Sequence, residues 1–226
     1  MTILHQKTHH PISSSFIEKC RKCARLAEFL DTVRIQYPAY HAKPVSAFGD
    51  LSAKLLIIGL APGMHGANRT GRPFTGDFAG ILLYQTLYKF GLASHATSVS
   101  VEDDLRLFQC RITNAVKCLP PANKPQPSEI RQCNAYLADE IADFIAHGGQ
   151  GILALGNVAH QAGLMALGLK IKNFAFKHGA LYHLPNGLRL YDSYHCSRYN
   201  TQTKRLTQEM FEQIIAGICA DLALIT

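Results

Sequence analysis

The run from Gly59 to Asp77 carries five glycines, with His65, Arg69 and Arg72 among them. That composition suits a backbone that closely approaches an anion. No Gly-Lys-Ser/Thr follows, so it is not a Walker A loop, and glycines at 59, 63, 66, 71 and 76 do not have the spacing of a dinucleotide turn. Three more side chains have chemistry to offer. Asp77 is a carboxylate, Asn114 carries both a donor and an acceptor, and His195 is an imidazole able to hydrogen-bond a partner. Each has a plainer use when taken alone: Asp77 as a helix N-cap, Phe74 as a core side chain, Asn114 as a turn residue, His195 as a loop or core histidine. Seven cysteines stand at 20, 23, 110, 118, 133, 196 and 219. Cys20 and Cys23 have C-x2-C spacing, and 14 residues separate Cys118 from Cys133. Four such thiolates take zinc or an iron–sulfur cluster, and spacing alone leaves both open. Cys110, Cys196 and Cys219 read as small buried or loop residues.

The elements that position these residues follow from hydrophobic pattern and punctuation. Ser15-Phe16-Ile17-Glu18 is a capping box, predicting a helix to about Ile35 with Cys20 and Cys23 on one face. Lys54 to Gly59 is a short continuous apolar run, the pattern of a strand buried on both faces of a parallel sheet. A helix is predicted over about 79–90, closing at Gly91. A second strand is predicted from Leu105 to Thr113, and a helix from Ser128 to about Ala146 follows a proline-rich stretch that excludes regular structure. Gly151 to Gly156 is a third strand with a helix after it to about Leu167. Leu188 to Tyr191 is a fourth, and a last amphipathic helix covers about 205–223.

Strand, loop and helix recurring in this order predict one three-layer α/β/α domain over residues 1–226, with a central, mainly parallel, four-stranded sheet. Residues 1–14 read as a loosely ordered extension. The Gly59–Asp77 loop, Asn114, Gly156-Asn157 and His195–Asn200 all fall just past the carboxyl end of a predicted strand, where open α/β sheets bind ligands. Asp103 and Asp104 precede a strand and are placed at the opposite edge, too far to form a Mg²⁺-binding cluster with Asp77.

The chain of 226 residues is 47% hydrophobic and 17% charged, which excludes intrinsic disorder. No apolar run is long enough to span a membrane, and the N-terminus lacks the order of a secretory signal. The expectation is an intracellular protein with no disulfide framework. A formal charge of +7 favours a polyanionic partner, nucleic acid before membrane.

The loop Gly59-Leu60-Ala61-Pro62-Gly63, His65-Gly66, Asn68-Arg69-Thr70-Gly71-Arg72 and Phe74-Thr75-Gly76-Asp77 closely resembles the first motif of the uracil-DNA glycosylase superfamily, specifically its family 5 (type B) enzymes. Ile112 to Cys118, with Pro120-Pro121 after it, resembles the family's uracil-reading strand end. Ser193 to Thr201 resembles its second motif and DNA-intercalating loop. The resemblance covers about residues 18–211.

It implies a glycosylase-like α/β fold and a monofunctional enzyme that flips uracil from DNA and hydrolyses its N-glycosidic bond. Deaminated purines such as hypoxanthine are implied as further substrates. Phe74 would stack on the base and Asn114 would read its Watson–Crick edge. His195 would hydrogen-bond the departing base, and Asp77 would stabilise the sugar cation and orient water. Gly59, Leu60, Ala61, Pro62 and Gly63 would wall the pocket, and Leu60 stands where sister families carry Glu or Asn, which leaves Asp77 as the loop's carboxylate. Asn68, Arg69 and Arg72 would line the pocket or bind phosphate. Ser197, Arg198, Tyr199, Asn200 and Thr201 would enter the DNA. Cys20, Cys23, Cys118 and Cys133 match the cysteines that hold a structural [4Fe-4S] cluster in families 4 and 5. No catalytic divalent metal is implied. The partner would be DNA, double-stranded, met by a monomer in the cytoplasm at the nucleoid. The rival from another class is a non-catalytic DNA-binding module that kept the fold and cluster.

Overall fold

A computed structural model describes residues 20–224. Helix α1 spans Ala24–Gln36 with Cys23 at its N-cap, later than the Ser15–Glu18 box predicts. That box and residues 1–14 lie outside the described residues. Cys20 and Cys23 consequently sit on the run entering α1 and not on its face, a correction to the predicted placement. Strands β1 (Phe48–Gly49) and β2 (Leu55–Gly59) come next, then α2 (Ala67–Thr70), α3 (Phe78–Lys89) and β3 (Cys110–Asn114). They are followed by α4 (Pro127–Ala146), β4 (Gly151–Leu155), α5 (Asn157–Ala166), β5 (Leu181–His183), β6 (Arg189–Ser193), α6 (Arg198–Gln202) and α7 (Gln208–Asp221). No helix among the described residues is long and apolar enough to cross a membrane.

The sheet runs β1-β3-β2-β4-β6-β5. Its four inner strands are parallel and correspond to the four predicted ones. Strands β1 and β5 add antiparallel edges that the hydrophobic pattern does not announce. Period-2 alternation sorts β2 between two cores. Leu55 and Ile57 pack with α3 and α7, whereas Leu56 and Ile58 pack with α4 and α5. This is why β2 is apolar throughout. The predicted second strand starts five residues late, at Cys110. Upstream of it Ala93 bridges Leu107, and Phe108 N–H donates to Leu92 O, so the chain pairs with itself before it joins the sheet.

The strand order also opens the site. After β2 the chain crosses the α3 face to β3, on one side of β2. It then returns to β4 on the other side and leaves along α5 on the opposite face. Loops leaving β2 and β4 therefore diverge, which makes a crevice at their carboxyl ends.

Candidate active site

Gly59 ends β2 and is paired in register with Asn114, the last residue of β3. A Cβ at Gly59 would stand 2.7 Å from Phe74 Cε2 and Cζ, and nearer still to Asn114 Oδ1. Only glycine leaves that space open. Asn114 is 3% exposed, and its Oδ1 has no hydrogen-bond partner. A buried acceptor left open costs free energy unless something else donates to it. Phe74 holds a left-handed backbone (φ 53°), a costly conformation for a bulky residue. The Tyr84 hydroxyl donates to the neighbouring Pro73 carbonyl at 2.9 Å. The Phe74 ring lies 5.8 Å from the His195 ring, at 29°.

His195 follows β6. Burial drives its imidazole down to about 4, so the ring is neutral at physiological pH and has one N–H to donate. Its carbonyl accepts from Asn200 Nδ2 at 2.8 Å. Asp77 caps α3, with Oδ1 accepting from Gly80 N–H at 2.9 Å. Burial raises this carboxyl above 3.8, opposed by the Gly80 and Ala79 amides. A Cβ at Gly66 would lie 2.5 Å from Asp77 Cβ and 2.8 Å from its Cγ, so a glycine lets the loop close over the carboxylate. Burial raises the Cys196 thiol, next to His195, and the Asp77 charge adds to it. A desolvated carboxylate, a neutral imidazole and an open amide acceptor thus lie around Phe74.

The remaining site residues divide. A Cβ at Gly63 would stand 3.7 Å from Asp77 Oδ2. Ala61 packs toward the cysteines and so does not wall the pocket. Pro62 is buried and Leu60 half-buried, and the Leu60 carbonyl accepts from Val116 N–H at 3.0 Å. Asn68 is fully buried, and neither its Oδ1 nor its Nδ2 has a partner. Arg69 is exposed, with Nε donating to His65 O at 2.6 Å and Nη2 lying over Gly76. Arg72 is buried, with Nη2 2.7 Å from Asp103 and Nε donating to Thr75 Oγ1 at 2.9 Å. It is thereby withdrawn from phosphate. Asp103 is accordingly not at the far edge. The 98–103 segment folds onto the glycine loop, with Gly76 N–H on Ser98 O at 2.8 Å, because a buried guanidinium requires a counter-charge. Stranding one partner of such a pair costs about 3–5 kcal/mol.

Past His195 the predicted DNA-entering loop is the short helix α6, capped by Ser197. Ser197, Asn200 and Thr201 bond the local backbone. Tyr199 is 69% exposed, and Arg198 is exposed with its guanidinium 4.9 Å from the Phe78 ring. These two present a cation and a ring to the rim of the crevice.

Cys20, Cys23, Cys118 and Cys133 line one cavity of about 20 Å³ with Tyr136 and Val116. The Tyr136 hydroxyl donates to Cys20 Sγ at 3.4 Å, and Lys117 N–H donates to Cys133 Sγ at 3.3 Å. Burial and the charges of the other cysteines push the Cys23 thiol up to about 11 and the Cys118 thiol up to about 12. Among the described residues no three His, Cys, Asp or Glu side chains converge on the position of a single ion.

Sequence reasoning missed the buried Thr113, Lys117 and Glu140 beneath Asn114. Lys117 Nζ stands 2.6 Å from Glu140 Oε2 and donates to Thr113 Oγ1 at 2.5 Å. The available signal was a lysine in the otherwise apolar run Ala115 to Leu119, where a charge needs a partner.

The fold and crevice define an α/β enzyme of the switch-point type. Residues 46–218 match the model of the family described as Uracil DNA glycosylase superfamily. The chain belongs to that superfamily. It is 45% identical to the Type-5 uracil-DNA glycosylase of Thermus thermophilus over 201 residues, covering 87% of this chain and 90% of the relative. It is 39% identical to the Type-5 uracil-DNA glycosylase of Pyrobaculum aerophilum over 206 residues, covering 89% and 88%. The Type-4 uracil-DNA glycosylase of Saccharolobus solfataricus stands further off, 27% identical over 204 residues, covering 88% and 81%.

A first expected result follows from Gly59. Gly59→Ala places a methyl against Asn114 Oδ1 and the Phe74 ring, filling the space between them. Base release should fall at least about 100-fold, the scale of losing a positioned near-attack geometry. The far-ultraviolet circular dichroism spectrum should stay unchanged.

Proposed function

We infer that the protein is a uracil-DNA glycosylase of DNA repair, hydrolysing the N-glycosidic bond of uracil in DNA and leaving an abasic site. The observation that carries this is Asn114 Oδ1, buried and unpartnered between Gly59 and Phe74. It suits an imide N–H such as uracil N3–H, and cytosine has no proton there. The bond cannot be reached inside a duplex, so the nucleotide is flipped into the crevice. As the bond breaks, the sugar gains positive charge and the base negative charge. His195, neutral, donates its N–H to the base as charge develops, and Asp77 faces the cationic sugar and orients the attacking water. Arg69 pairs with backbone phosphate, and Arg198 and Tyr199 fill the space that the base has left. The motifs implicate no lysine as a nucleophile, so we read the enzyme as monofunctional and its reaction as independent of a divalent metal.

The four thiols fit a [4Fe-4S] cluster. Cys20, Cys23, Cys118 and Cys133 all line one cavity, as four thiolates around a metal centre would. These residues would hold such a cluster, whose positive core would let buried thiolates persist, and would thereby tie the run entering α1 to the loop after β3. Cys118→Ser should lose bound iron, sulfide and visible absorbance, with a drop in thermal midpoint. Acting on double-stranded DNA as a monomer, in the cytoplasm at the nucleoid, and accepting hypoxanthine as well as uracil, complete the reading.

The test is base release from a labelled duplex with one U opposite G, in the presence of chelator. Strand breakage only after alkali is the expected outcome. If no abasic product forms with uracil or hypoxanthine although the duplex binds, the protein is a binding module and the reading fails.

A further inference from the structure

Asn114 can discriminate uracil only if its amide is held in one orientation, and the structure shows what holds its backbone. Lys117 lies three residues on and is 1% exposed, as is Glu140 of α4. The three donors of Nζ have three acceptors: Thr113 Oγ1 at 2.5 Å, the Asn114 carbonyl at 2.9 Å and Glu140 Oε2 at 2.6 Å. Thr113 Oγ1 donates in turn to Glu140 Oε2 at 2.7 Å. Nζ is therefore fully used and leaves Asn114 Oδ1 open for the base. From the other side Ala115 N–H donates to Gly59 O at 2.9 Å and Val116 N–H to Leu60 O at 3.0 Å. The Asn114 backbone is thus clamped between the pocket floor and a buried ion pair. Networks of this kind rigidify what they hold; Glu140 takes part through Oε2 alone, its Oε1 having no partner.

We propose that Lys117 is a positioning residue for base recognition. Paired with Glu140, it fixes the Asn114 carbonyl and through it the direction in which the side-chain amide meets uracil. Lys117 touches no reacting atom. The same residue's N–H bonds Cys133 Sγ, so the base reader and the cysteine cavity share one short segment. The inference rests on the base-reading role given to Asn114 above.

The test compares two duplexes, one with a non-hydrolysable 2′-fluoro-deoxyuridine and one with an abasic-site analogue that offers Asn114 nothing to read. The double variant Lys117→Met/Glu140→Gln removes the clamp without leaving a buried charge. It should bind the uracil duplex at least tenfold more weakly and the abasic duplex within twofold of wild type. Glu140→Gln alone keeps an acceptor beside Nζ, and so keeps the Asn114 bond and uracil affinity. If the double variant does not fold, Lys117→Met/Glu140→Met replaces the pair by apolar side chains and is read in the same way. Parallel weakening on both duplexes, or no change on either, overturns the proposal and leaves the network purely structural. Asn114→Ala is the control. If it leaves uracil affinity unchanged, the base-reading role fails and takes this inference with it. If it weakens uracil binding while the double variants do not, Lys117 alone is excluded.

Discussion

Asp77→Asn releases uracil from duplex DNA about 10²–10⁴ times more slowly than wild type, the range of a positioned acid–base group, and binds the duplex with near-unchanged affinity. Asparagine is as good an N-cap as aspartate, so it preserves the acceptor for Gly80 N–H and isolates the charge as the variable. The variant should also be no less stable, and at pH 7 more so. Burial raises the Asp77 carboxyl in the folded state. Between 3.8 and that raised value the folded chain holds the proton more firmly than the unfolded one, so acidification relieves a destabilising charge. Removing the charge has the same effect at neutral pH, a trade of stability for activity. The acid limb of the wild-type rate lies above pH 3.8 and should vanish in Asp77→Asn. A variant within tenfold of wild type in single-turnover measurements would show that another group orients the water.

His195→Ala should slow base release by about 10²–10³-fold, the effect of removing one donor aimed at developing negative charge. His195→Gln restores a donor and should recover part of the loss. Because burial holds the imidazole down to about 4, the wild-type rate should show no inflection near 6.5, where an ordinary histidine titrates. The same shift acts on stability. Above pH 6.5 folded and unfolded chains both carry a neutral ring. As pH falls from 6.5 toward 4 only the unfolded chain gains the proton, and stability is lost across that window. Chemical denaturation of wild type and His195→Ala at pH 7 and pH 5 measures the difference. The wild type should lose more on acidification. Equal losses would mean that His195 is solvated, and with it the case for a neutral donor falls.

The inner strands and most helices were legible because their rules are local. Lys54 to Gly59 and Gly151 to Gly156 are continuous apolar runs, and each became a fully buried parallel strand. The capping logic placed α3 at Asp77, but α4 is capped by Gln126, paired with Glu129 in a capping box, and Ser128 lies inside its first turn. The predicted helix does not run unbroken from Ser15, which lies outside the described residues: α1 begins at Ala24, where its apolar face, Leu26 to Val33, can be buried. β1 and β5 were not legible. Strands of two and three residues carry too little pattern and form because the edge of a sheet offers unpaired backbone groups.

Asp77, Asn114, Phe74 and His195 could be named from the chain because their spacing survives as a motif, and their meeting at one edge followed from strand order. Their electrostatic state could not. Whether His195 is neutral, whether Asp77 is strained and whether Asn114 Oδ1 is left open depend on how much water the packed crevice excludes, and so on residues far apart in the chain. Arg72 shows the limit most clearly. As a residue type it is a phosphate ligand, but the tertiary structure turns it inward onto Asp103. The sequence determined which side chains were available at the crevice. Only the tertiary structure decided which of them still faced it, because burial assigns each charge either a partner or a function.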